Sequence, residues 1–401
     1  MHVVLLPSWY PRRASDIGGS FFREQAIALH RSGCQVGVVA PQFDSLRDLS
    51  LKSVTSAKVT TEVDDGVVTV RGHSVNWTPR LRQIMRRRWT KMGELAFDAY
   101  RHSHGLPDVL HVHSVLDAGV LAMRLSARFR IPYVMTEHST AFARGQLSVD
   151  ELQLASKIAR NASSRIAVSP QLAELLRRTL CVGSGDWVTV PNIVDTSFFL
   201  HPLGTINPGK FTFINVGLMD VKKGQDVLLM AFARARRVDP HLALVIVGDG
   251  EEETRLRKLA QTLGLGDDVT FAGRLSRSQV RDRVSDADGL VLSSSVETFG
   301  VVVAEALALG KPVVATRCGG PESIVREGDG ELAPAGDIEG LATAMVRVAR
   351  ERNRFDPVTL REGCRARFGE DSVVRMLRDQ YAIVTAPPIG SVTSVSRGTD
   401  T

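Results

Sequence analysis

Residues 293–325 read SSSVETFGVVVAEALALGKPVVATRCGGPESIV. The apolar run GLVLSS, which leads into this segment, predicts a strand that ends at about Ser293. A helix is then expected from about Val301 to Leu309, where Gly310 ends it. A second apolar run, KPVVAT, follows directly. A strand, a helix and a further strand in this order are typical of a parallel sheet covered by helices.

Two glutamates of this segment, Glu297 and Glu305, stand where a parallel sheet binds ligands, because Glu297 lies just beyond the carboxyl end of a strand. At 1.5 Å per helical residue their carboxylates are up to about 12 Å apart along the helix axis, which suits two ends of one extended ligand. Between them, the backbone N–H groups of Phe299, Gly300 and Val301 form an anion or hydroxyl site at the helix start. A nucleotide-sugar fits this layout. Two solvated surface carboxylates are the alternative.

The same alternation of short apolar runs and amphipathic stretches extends along nearly the whole chain of 401 residues, and it predicts the α/β fold class. The composition, with 50 Lys+Arg, 44 Asp+Glu and 43% hydrophobic residues, excludes a disordered, collagenous or fibrous protein. Strands are expected at residues 2–6, 35–40, 67–70, 109–112, 133–135, 165–168, 211–217, 242–248, 269–273, 289–294 and 311–316.

Charge and cysteine usage limit the kinds of partner. A net charge of +6 suits an anionic partner such as a nucleotide, a phosphorylated intermediate or a membrane surface. The four cysteines are far apart and form no CxxC pair, so neither a disulfide framework nor a zinc site is expected. No apolar run approaches the length of about 18 residues that spans a membrane, and the first residues lack the pattern of a signal peptide. A cytoplasmic location is therefore expected.

Two doubly wound halves need a connection, and the proline-containing segment at about residues 195–208 is the best candidate. The prediction divides the chain into an N-terminal acceptor-side domain (1–195), a C-terminal nucleotide-sugar-binding domain (196–370), a C-terminal helix that packs back on the N-terminal domain (371–385) and a disordered tail (386–401).

Several motifs, none decisive alone, occur in an order that resembles one enzyme family. They are DIGGSFFREQAIAL, PDVLHVHSVLDAGV, IPYVMTEHST, VPNIVD, VGLMDVKKGQDVLLMAFA, VIVGDG, VTFAGRLS and ETFGVVVAEALALGKPVVAT, which contains an E-x7-E pattern. Together they resemble the retaining glycosyltransferases of family 4, over nearly the whole chain. The resemblance implies the GT-B fold, with two Rossmann-like doubly wound domains facing across a cleft. It implies a hexosyltransferase-type enzyme that moves a sugar from a nucleotide-diphospho-sugar to a glycan, glycolipid or lipid-linked acceptor.

The resemblance also implies roles for individual residues. In the family the first glutamate of the motif, here Glu297, lies by the donor sugar ring, and the second, here Glu305, hydrogen-bonds the ribose hydroxyls. Lys223 matches the lysine that reaches the donor diphosphate, with a solvated lysine as the alternative. Many relatives place an arginine after the glycine of the preceding strand, but here Gly217 is followed by Leu218. Diphosphate neutralisation is then expected to depend on Lys223 and on backbone N–H groups, with Lys222 or another basic residue as a further candidate.

Further donor contacts are expected from two loops. Gly18 and Gly19 lie between the first strand and the first helix, where glycines let backbone N–H groups approach a phosphate, although a turn without ligand is the alternative. In the family, base recognition is largely through backbone after VTFAG, here at about Arg274 and Leu275.

Three histidines are candidates for the cleft. His138 ends the strand IPYVMTEH and matches a family histidine near the transferred sugar, so it joins Glu297 and Lys223 as a candidate catalytic residue. Its titration near neutral pH is expected to make activity pH-sensitive, and a purely structural histidine is the alternative. His111 and His113 are expected to point to opposite faces of their strand and to be mainly structural.

No metal and no cofactor is expected. The sequence DAD at residues 286–288 looks like a metal-binding DxD, but it precedes the strand GLVLSS and so lies at the amino-terminal edge of the sheet. In the family, transfer is thought to occur on the same face as the departing diphosphate, whose oxygen helps remove the acceptor proton.

The acceptor side is represented by the segment PRLRQIMRRRWTKM, residues 79–92. It is a basic amphipathic helix that could lie on an anionic membrane, at the inner face of the cell membrane, where each cation contributes about 1 kcal/mol. The alternative is a domain helix whose apolar stripe faces the core. Nucleic acid is a poorer fit, because no recognition motif accompanies the segment. Its cations are Arg80, Arg82, Arg86, Arg87, Arg88 and Lys91, and its apolar residues are Leu81, Ile84, Met85, Trp89 and Met92.

Two other functions stay open at this point. One is a non-catalytic GT-B protein that binds a nucleotide or glycan, for which Leu218 is the sequence support. The other is a GT-B nucleotide-sugar epimerase, which would act without an acceptor.

Overall fold

The computed structural model describes residues 1–386 except 14, 15, 17, 45–57, 77–80, 181, 183–185 and 205–208. The tail predicted for 386–401 lies, apart from Ala386, outside the described residues. The strands are β1 (His2–Pro7), β2 (Gln35–Asp44), β3 (Lys58–Asp64), β4 (Val67–Val75), β5 (Val109–His113), β6 (Tyr133–Glu137), β7 (Ser164–Ala167), β8 (Trp187–Thr189), β9 (Phe211–Val216), β10 (Leu242–Val247), β11 (Val269–Gly273), β12 (Gly289–Leu292), β13 (Val313–Arg317) and β14 (Gly330–Pro334).

The helices alternate with these strands. They are α1 (Ser20–Arg31), α2 (Arg82–His104), α3 (Leu116–Phe129), α4 (Val149–Asn161), α5 (Pro170–Leu180), α6 (Thr196–Leu200), α7 (Gln225–Val238), α8 (Glu253–Thr262), α9 (Arg277–Asp286), α10 (Val301–Ala308), α11 (Pro321–Ile324), α12 (Ile338–Arg350), α13 (Pro357–Phe368) and α14 (Glu370–Thr385). Among the described residues, no helix is both long and apolar enough to cross a bilayer.

The strands form two sheets, each with a point where the strand order reverses. The first sheet has the order β3-β4-β2-β1-β5-β6-β7-β8, and its strand pairs are parallel except β3 with β4. The second has the order β11-β10-β9-β12-β13-β14 and is parallel throughout. The order reverses between β1 and β5 in the first sheet and between β9 and β12 in the second. Ligands bind such sheets beyond the carboxyl ends of the strands at these reversals.

The helix α14 follows the second sheet in the chain but packs on the first. It contacts α1, β5 and β6. Leu377 and Tyr381 of α14 belong to one buried apolar cluster with Phe22 and Leu29 of α1 and Leu5 of β1. Burying an apolar side chain of this size contributes roughly 1.5–3 kcal/mol. Together α1 and α14 therefore close one face of the first sheet.

The predicted α/β class with two doubly wound sheets is confirmed, and three strands had not been expected. The strand β3 pairs antiparallel with β4 through a turn at Asp65 and Gly66, which have φ angles of 49° and 84°. Such a two-residue Asp-Gly turn is a hairpin signal that the sequence contained. The other two are edge strands, of which β8 has only three residues and β14 has Gly, Glu and Pro among its five.

Candidate active site

A cavity of about 430 Å³ lies between the carboxyl ends of the two sheets. From the first sheet it is lined by Trp9, which follows β1, and by His138, which follows β6. From the second it is lined by Lys223, which follows β9, and by Glu297, which follows β12. Two of these strands, β9 and β12, flank the reversal of the second sheet, so the cavity occupies the place where this kind of sheet binds ligands.

Lys223 and Glu297 form an ion pair in the cavity wall. The Lys223 ammonium donates to Glu297 Oε1 over 2.6 Å, and the Ser294 hydroxyl donates to the same oxygen over 2.8 Å. Lys223 ends a 3-10 helix, Val221–Lys223, and Glu297 is fixed by its N–H bond to the Cys318 carbonyl. The two side chains are 23% and 13% exposed. An incoming anion can therefore reach the lysine, but it competes with Glu297 for it.

The helix α10 points its first turn at the cavity. Phe299, Gly300 and Val301 line the wall at this helix start, and the first N–H groups of a helix have no partner within the helix. Gly300 has a φ of 94°, which a residue with a side chain rarely adopts, so the turn into the helix depends on glycine. Phe299 is buried and packs edge-on against Phe368. The helix start therefore gives the cavity wall backbone N–H groups that have no partner within the helix.

Glu305 takes part in a buried charge cluster that crosses between the two halves of the molecule. Arg277 Nη2 lies 2.8 Å from Glu24 Oε1 and 2.9 Å from Glu305 Oε1, while its guanidinium sits over the Phe198 ring. The side chains of Glu24 and Glu305 are 7% and 4% exposed. Since Glu297 is also largely buried, the alternative of two solvated carboxylates is wrong.

Sequence analysis missed Arg277 and Glu24. A capping box formed by Ser276 and Gln279 starts α9 and places Arg277 at its first position. Acidic residues are favoured at a helix start, so an arginine there was the sequence feature that could have indicated a special role. Burial raises the pKa of Glu24 to about 8, and the nearby Arg277 offsets this shift only in part.

The Glu24 carboxyl gives a testable pH dependence of stability. Its pKa is about 8 in the folded chain against an ordinary 4.5, so the folded state binds more protons than the unfolded state between these pH values. The free energy of unfolding is therefore expected to fall as pH rises through this window, by up to about 1.4 kcal/mol per pH unit. Denaturant titrations across the window measure it. A Glu24→Gln variant should show a flatter profile, and an identical profile would contradict the assignment.

His138 is buried beside two further histidines. Its Nε2 lies 3.0 Å from His113 Nδ1, and its backbone carbonyl accepts from the Thr298 hydroxyl over 2.8 Å, across the cavity. Burial lowers the pKa of His138 to about 3, so the predicted titration near neutral pH is wrong. His111 and His113 lie on the same face, with ring centroids 4.2 Å apart, and the expectation of opposite faces is also wrong. Residues two apart in a strand share a face.

Comparison with known proteins decides the family. Residues 18–198 match the family described as Glycosyltransferase Family 4, and residues 200–359 match the family described as Glycosyl transferases group 1. The chain belongs to the family 4 glycosyltransferases.

Individual relatives of this glycosyltransferase agree with the assignment. Glycogen synthase of Mycobacterium tuberculosis is 27% identical over 358 residues, which cover 85% of this chain and 84% of that protein. The structure of sucrose-phosphate synthase from Thermosynechococcus elongatus superposes with a TM-score of 0.77 at 24% identity, covering 95% of this chain and 98% of that chain. HepE of Anabaena in complex with UDP-glucose gives a TM-score of 0.67 at 20% identity, covering 95% and 99%. These two structures confirm the predicted GT-B fold.

Four predicted donor contacts of the glycosyltransferase lie outside the cavity wall. Gly19 caps α1 with a φ of 81°, but the next residue, Ser20, is the one that lines the cavity, and Gly18 does not line it either. Arg274 is exposed and Leu275 is half-buried, and neither lines the cavity. The structure brings together His138, Lys223, Glu297, Phe299, Gly300, Val301 and Glu305.

The basic segment predicted at 79–92 is divided in the enzyme. Residues 79 and 80 lie outside the described residues, and α2 begins at Arg82. Trp89 and Met92 are buried in the first domain, whereas Leu81 and Ile84 are 53% and 44% exposed. The core-helix interpretation therefore holds for the later turns of the segment, and an apolar and basic surface is left at its first turn.

The structure shows the positions of two further sequence features, the DAD sequence and Leu218. Asp288 of the DAD sequence accepts from the Thr212 N–H at the amino-terminal edge of the second sheet, as expected. Over the described ranges, no group of three or more His, Cys, Asp or Glu residues is placed to hold a metal ion. Leu218 is 62% exposed and brings no charge to the site.

Proposed function

We propose that this glycosyltransferase is a retaining, metal-independent enzyme that transfers a sugar from a nucleotide-diphospho-sugar to a glycan, glycolipid or lipid-linked acceptor. The observation that carries the proposal is the cavity itself, which joins Lys223, the start of α10 and Glu305 in one wall and faces His138 in the other. A ligand with an anionic centre and hydroxyl groups on both sides matches this order of groups.

In the proposed complex, the diphosphate lies at Lys223 and at the N–H groups of α10, and the ribose hydroxyls lie at Glu305. The sugar then lies between Glu297 and His138. The UDP-glucose complex of HepE, which shares the fold, supports a nucleotide-sugar as donor. Since both Lys223 and Glu305 already have ionic partners in the chain, donor binding exchanges those contacts for contacts to the ligand.

The proposed reaction breaks the bond between the anomeric carbon and the diphosphate oxygen. The acceptor hydroxyl oxygen forms its bond to the same face of that carbon, and its proton passes to the departing diphosphate. The negative charge that develops on the leaving diphosphate oxygen faces the Lys223 ammonium and the start of α10. Preorganised donors aimed at developing charge are usually the largest catalytic contribution.

A panel of UDP-, GDP-, ADP- and dTDP-sugars in EDTA tests the proposal. One nucleotide is expected to raise the melting temperature, because a ligand at about 100 times its dissociation constant adds roughly 2.7 kcal/mol. With that donor, product formed in EDTA should keep the anomeric configuration of the donor when followed by NMR. A product with inverted configuration would refute the retaining mechanism, and a need for metal would refute metal independence. No change in melting temperature with any nucleotide would favour a non-catalytic protein.

We also propose that the first turn of α2 contacts an anionic membrane, which would hold the enzyme at the inner face of the cell membrane. Arg86 does not contribute freely, because it pairs with Asp117 over 2.9 Å. The exposed groups are Leu81, Ile84, Arg87 and Arg82, of which Arg82 also pairs with Glu151 over 3.2 Å. They combine apolar and cationic side chains in one turn, as interfacial helices do.

Replacing Leu81 and Ile84 together by Glu is therefore expected to abolish most binding to phosphatidylglycerol vesicles at low salt. Vesicle sedimentation measures the bound fraction. The matched control is Leu95→Glu, which changes another exposed apolar residue of the same helix outside this turn. If the original chain, the double variant and Leu95→Glu bind the vesicles equally, α2 has a purely structural role.

A further inference from the structure

His111, His113 and His138 form a row of rings beside the cavity, and each ring has few hydrogen-bond partners. His111 and His113 are fully buried, and His138 is 7% exposed. The His113 ring lies 4.2 Å from that of His111 and 5.3 Å from that of His138, between centroids. Burial lowers the pKa of each ring well below neutral, so all three are neutral imidazoles at physiological pH. A neutral imidazole has one N–H donor and one bare acceptor nitrogen, and its partners decide which is which.

Gln25 determines which ring nitrogen of His111 and of His113 carries the proton. Its amide Nε2 lies 3.4 Å from His111 Nδ1 and 3.4 Å from His113 Nε2. In this orientation the amide NH₂ group has two protons to donate and accepts none, which assigns both ring nitrogens as bare acceptors, whereas a reversed amide would place its oxygen there and reverse the tautomers. The proton of His111 is then on Nε2, where the Thr136 hydroxyl oxygen accepts it over 2.7 Å. The Tyr381 hydroxyl, 2.6 Å from His111 Nδ1, can donate to that nitrogen as well.

The tautomer of His113 in turn determines the tautomer of His138, which lines the cavity. Since His113 Nε2 is an acceptor, its proton is on Nδ1, 3.0 Å from His138 Nε2. His138 Nε2 must accept this hydrogen bond, which leaves the His138 proton on Nδ1. That nitrogen has no hydrogen bond of normal length and angle within the described part of the chain, and the Asn192 side chain beside it is positioned to form one. Both His138 and Asn192 line the cavity.

We propose that Gln25 and His113 are positioning residues that lock His138 as the Nδ1–H tautomer, so that His138 offers the sugar a neutral hydrogen-bond donor. The proposal rests on the proposed function for the nature of the ligand. It excludes His138 as the base that removes the acceptor proton, because its bare nitrogen is already occupied by His113 Nδ1–H. A buried donor without a partner is unfavourable, and a sugar hydroxyl or ring oxygen that accepts from Nδ1 relieves this cost.

Nuclear magnetic resonance of the unliganded full chain tests the tautomers. Long-range ¹H–¹⁵N correlation spectra distinguish the protonated from the bare nitrogen of each neutral histidine, and a His138→Asn variant assigns the His138 signals. We expect protons on Nδ1 of His138, Nδ1 of His113 and Nε2 of His111. A His138 ring protonated on Nε2 would overturn the proposal. The spectra need no turnover, so this result is separable from a failure of sugar transfer.

A Gln25→Leu variant tests the origin of the tautomer. It removes the two amide donors at similar volume, and we expect His138 to become a mixture of tautomers with kcat lowered about tenfold. Affinity for the nucleoside diphosphate should stay unchanged, which a merely structural defect would not predict. Gln35→Leu, at an exposed position of β2, is the control and should leave both readouts as in the original chain. An unchanged His138 tautomer in Gln25→Leu would overturn the role of Gln25.

Discussion

A Lys223→Ala variant is expected to lower kcat/KM for the nucleotide-sugar at least about tenfold. A hydrogen bond to a charged group contributes about 1.5–3 kcal/mol, and the lysine lines the same cavity as the start of α10. The lost ammonium also leaves Glu297, a largely buried carboxylate, with the Ser294 hydroxyl as its remaining side-chain donor. That negative charge then faces the diphosphate without compensation.

Steady-state kinetics with the donor from the nucleotide panel measures this loss. Lys222→Ala is the matched control, because Lys222 precedes Lys223 in the same 3-10 helix but does not line the cavity. We expect the control to stay within about twofold of the original enzyme. Full activity of Lys223→Ala would mean that backbone N–H groups alone neutralise the diphosphate.

An Arg277→Ala variant is expected to lower the free energy of unfolding by about 3–5 kcal/mol, because it removes the shared partner of two buried carboxyl groups. Glu24 and Glu305 are 7% and 4% exposed, and neither can recover hydration without opening the structure. The loss should grow as pH rises, since ionisation of Glu24 then adds a second unpaired charge.

Denaturant unfolding at two pH values measures the effect. Arg283→Ala, on the exposed side of the same helix, should change stability by less than about 0.5 kcal/mol. At the higher pH, the double variant Arg277→Ala with Glu24→Gln should recover part of the loss, because it removes the carboxyl group that ionises there. A loss below about 1 kcal/mol in the single variant would show that water already solvates the cluster.

The residues that sequence analysis placed correctly share one property, which is that they follow a strand at the carboxyl edge of a sheet. Glu297 was found in this way, Lys223 was identified through the family resemblance, and the two lie together in the cavity. Arg277 and Glu24 could not be found so, because their contact depends on how two helices from different halves of the chain meet. Local sequence patterns contain no information on how these two helices pack against each other.

The histidines show a different limit. The faces of His111 and His113 could have been predicted from strand geometry, since side chains two residues apart point the same way. The pKa of His138 could not, because it depends on burial by side chains from several elements. The tautomers depend in turn on Gln25 of α1 and Tyr381 of α14, at opposite ends of the chain.

The return of α14 to the first sheet has a consequence for the order in which the molecule can fold. Leu377 and Tyr381 complete an apolar cluster whose other members come from the beginning of the chain. During synthesis, one face of the first sheet therefore stays partly uncovered until α14, which follows the entire second sheet, has left the ribosome. Exposed apolar surface of this kind is prone to aggregation, so the first half of the chain is the part most dependent on chaperones while translation proceeds.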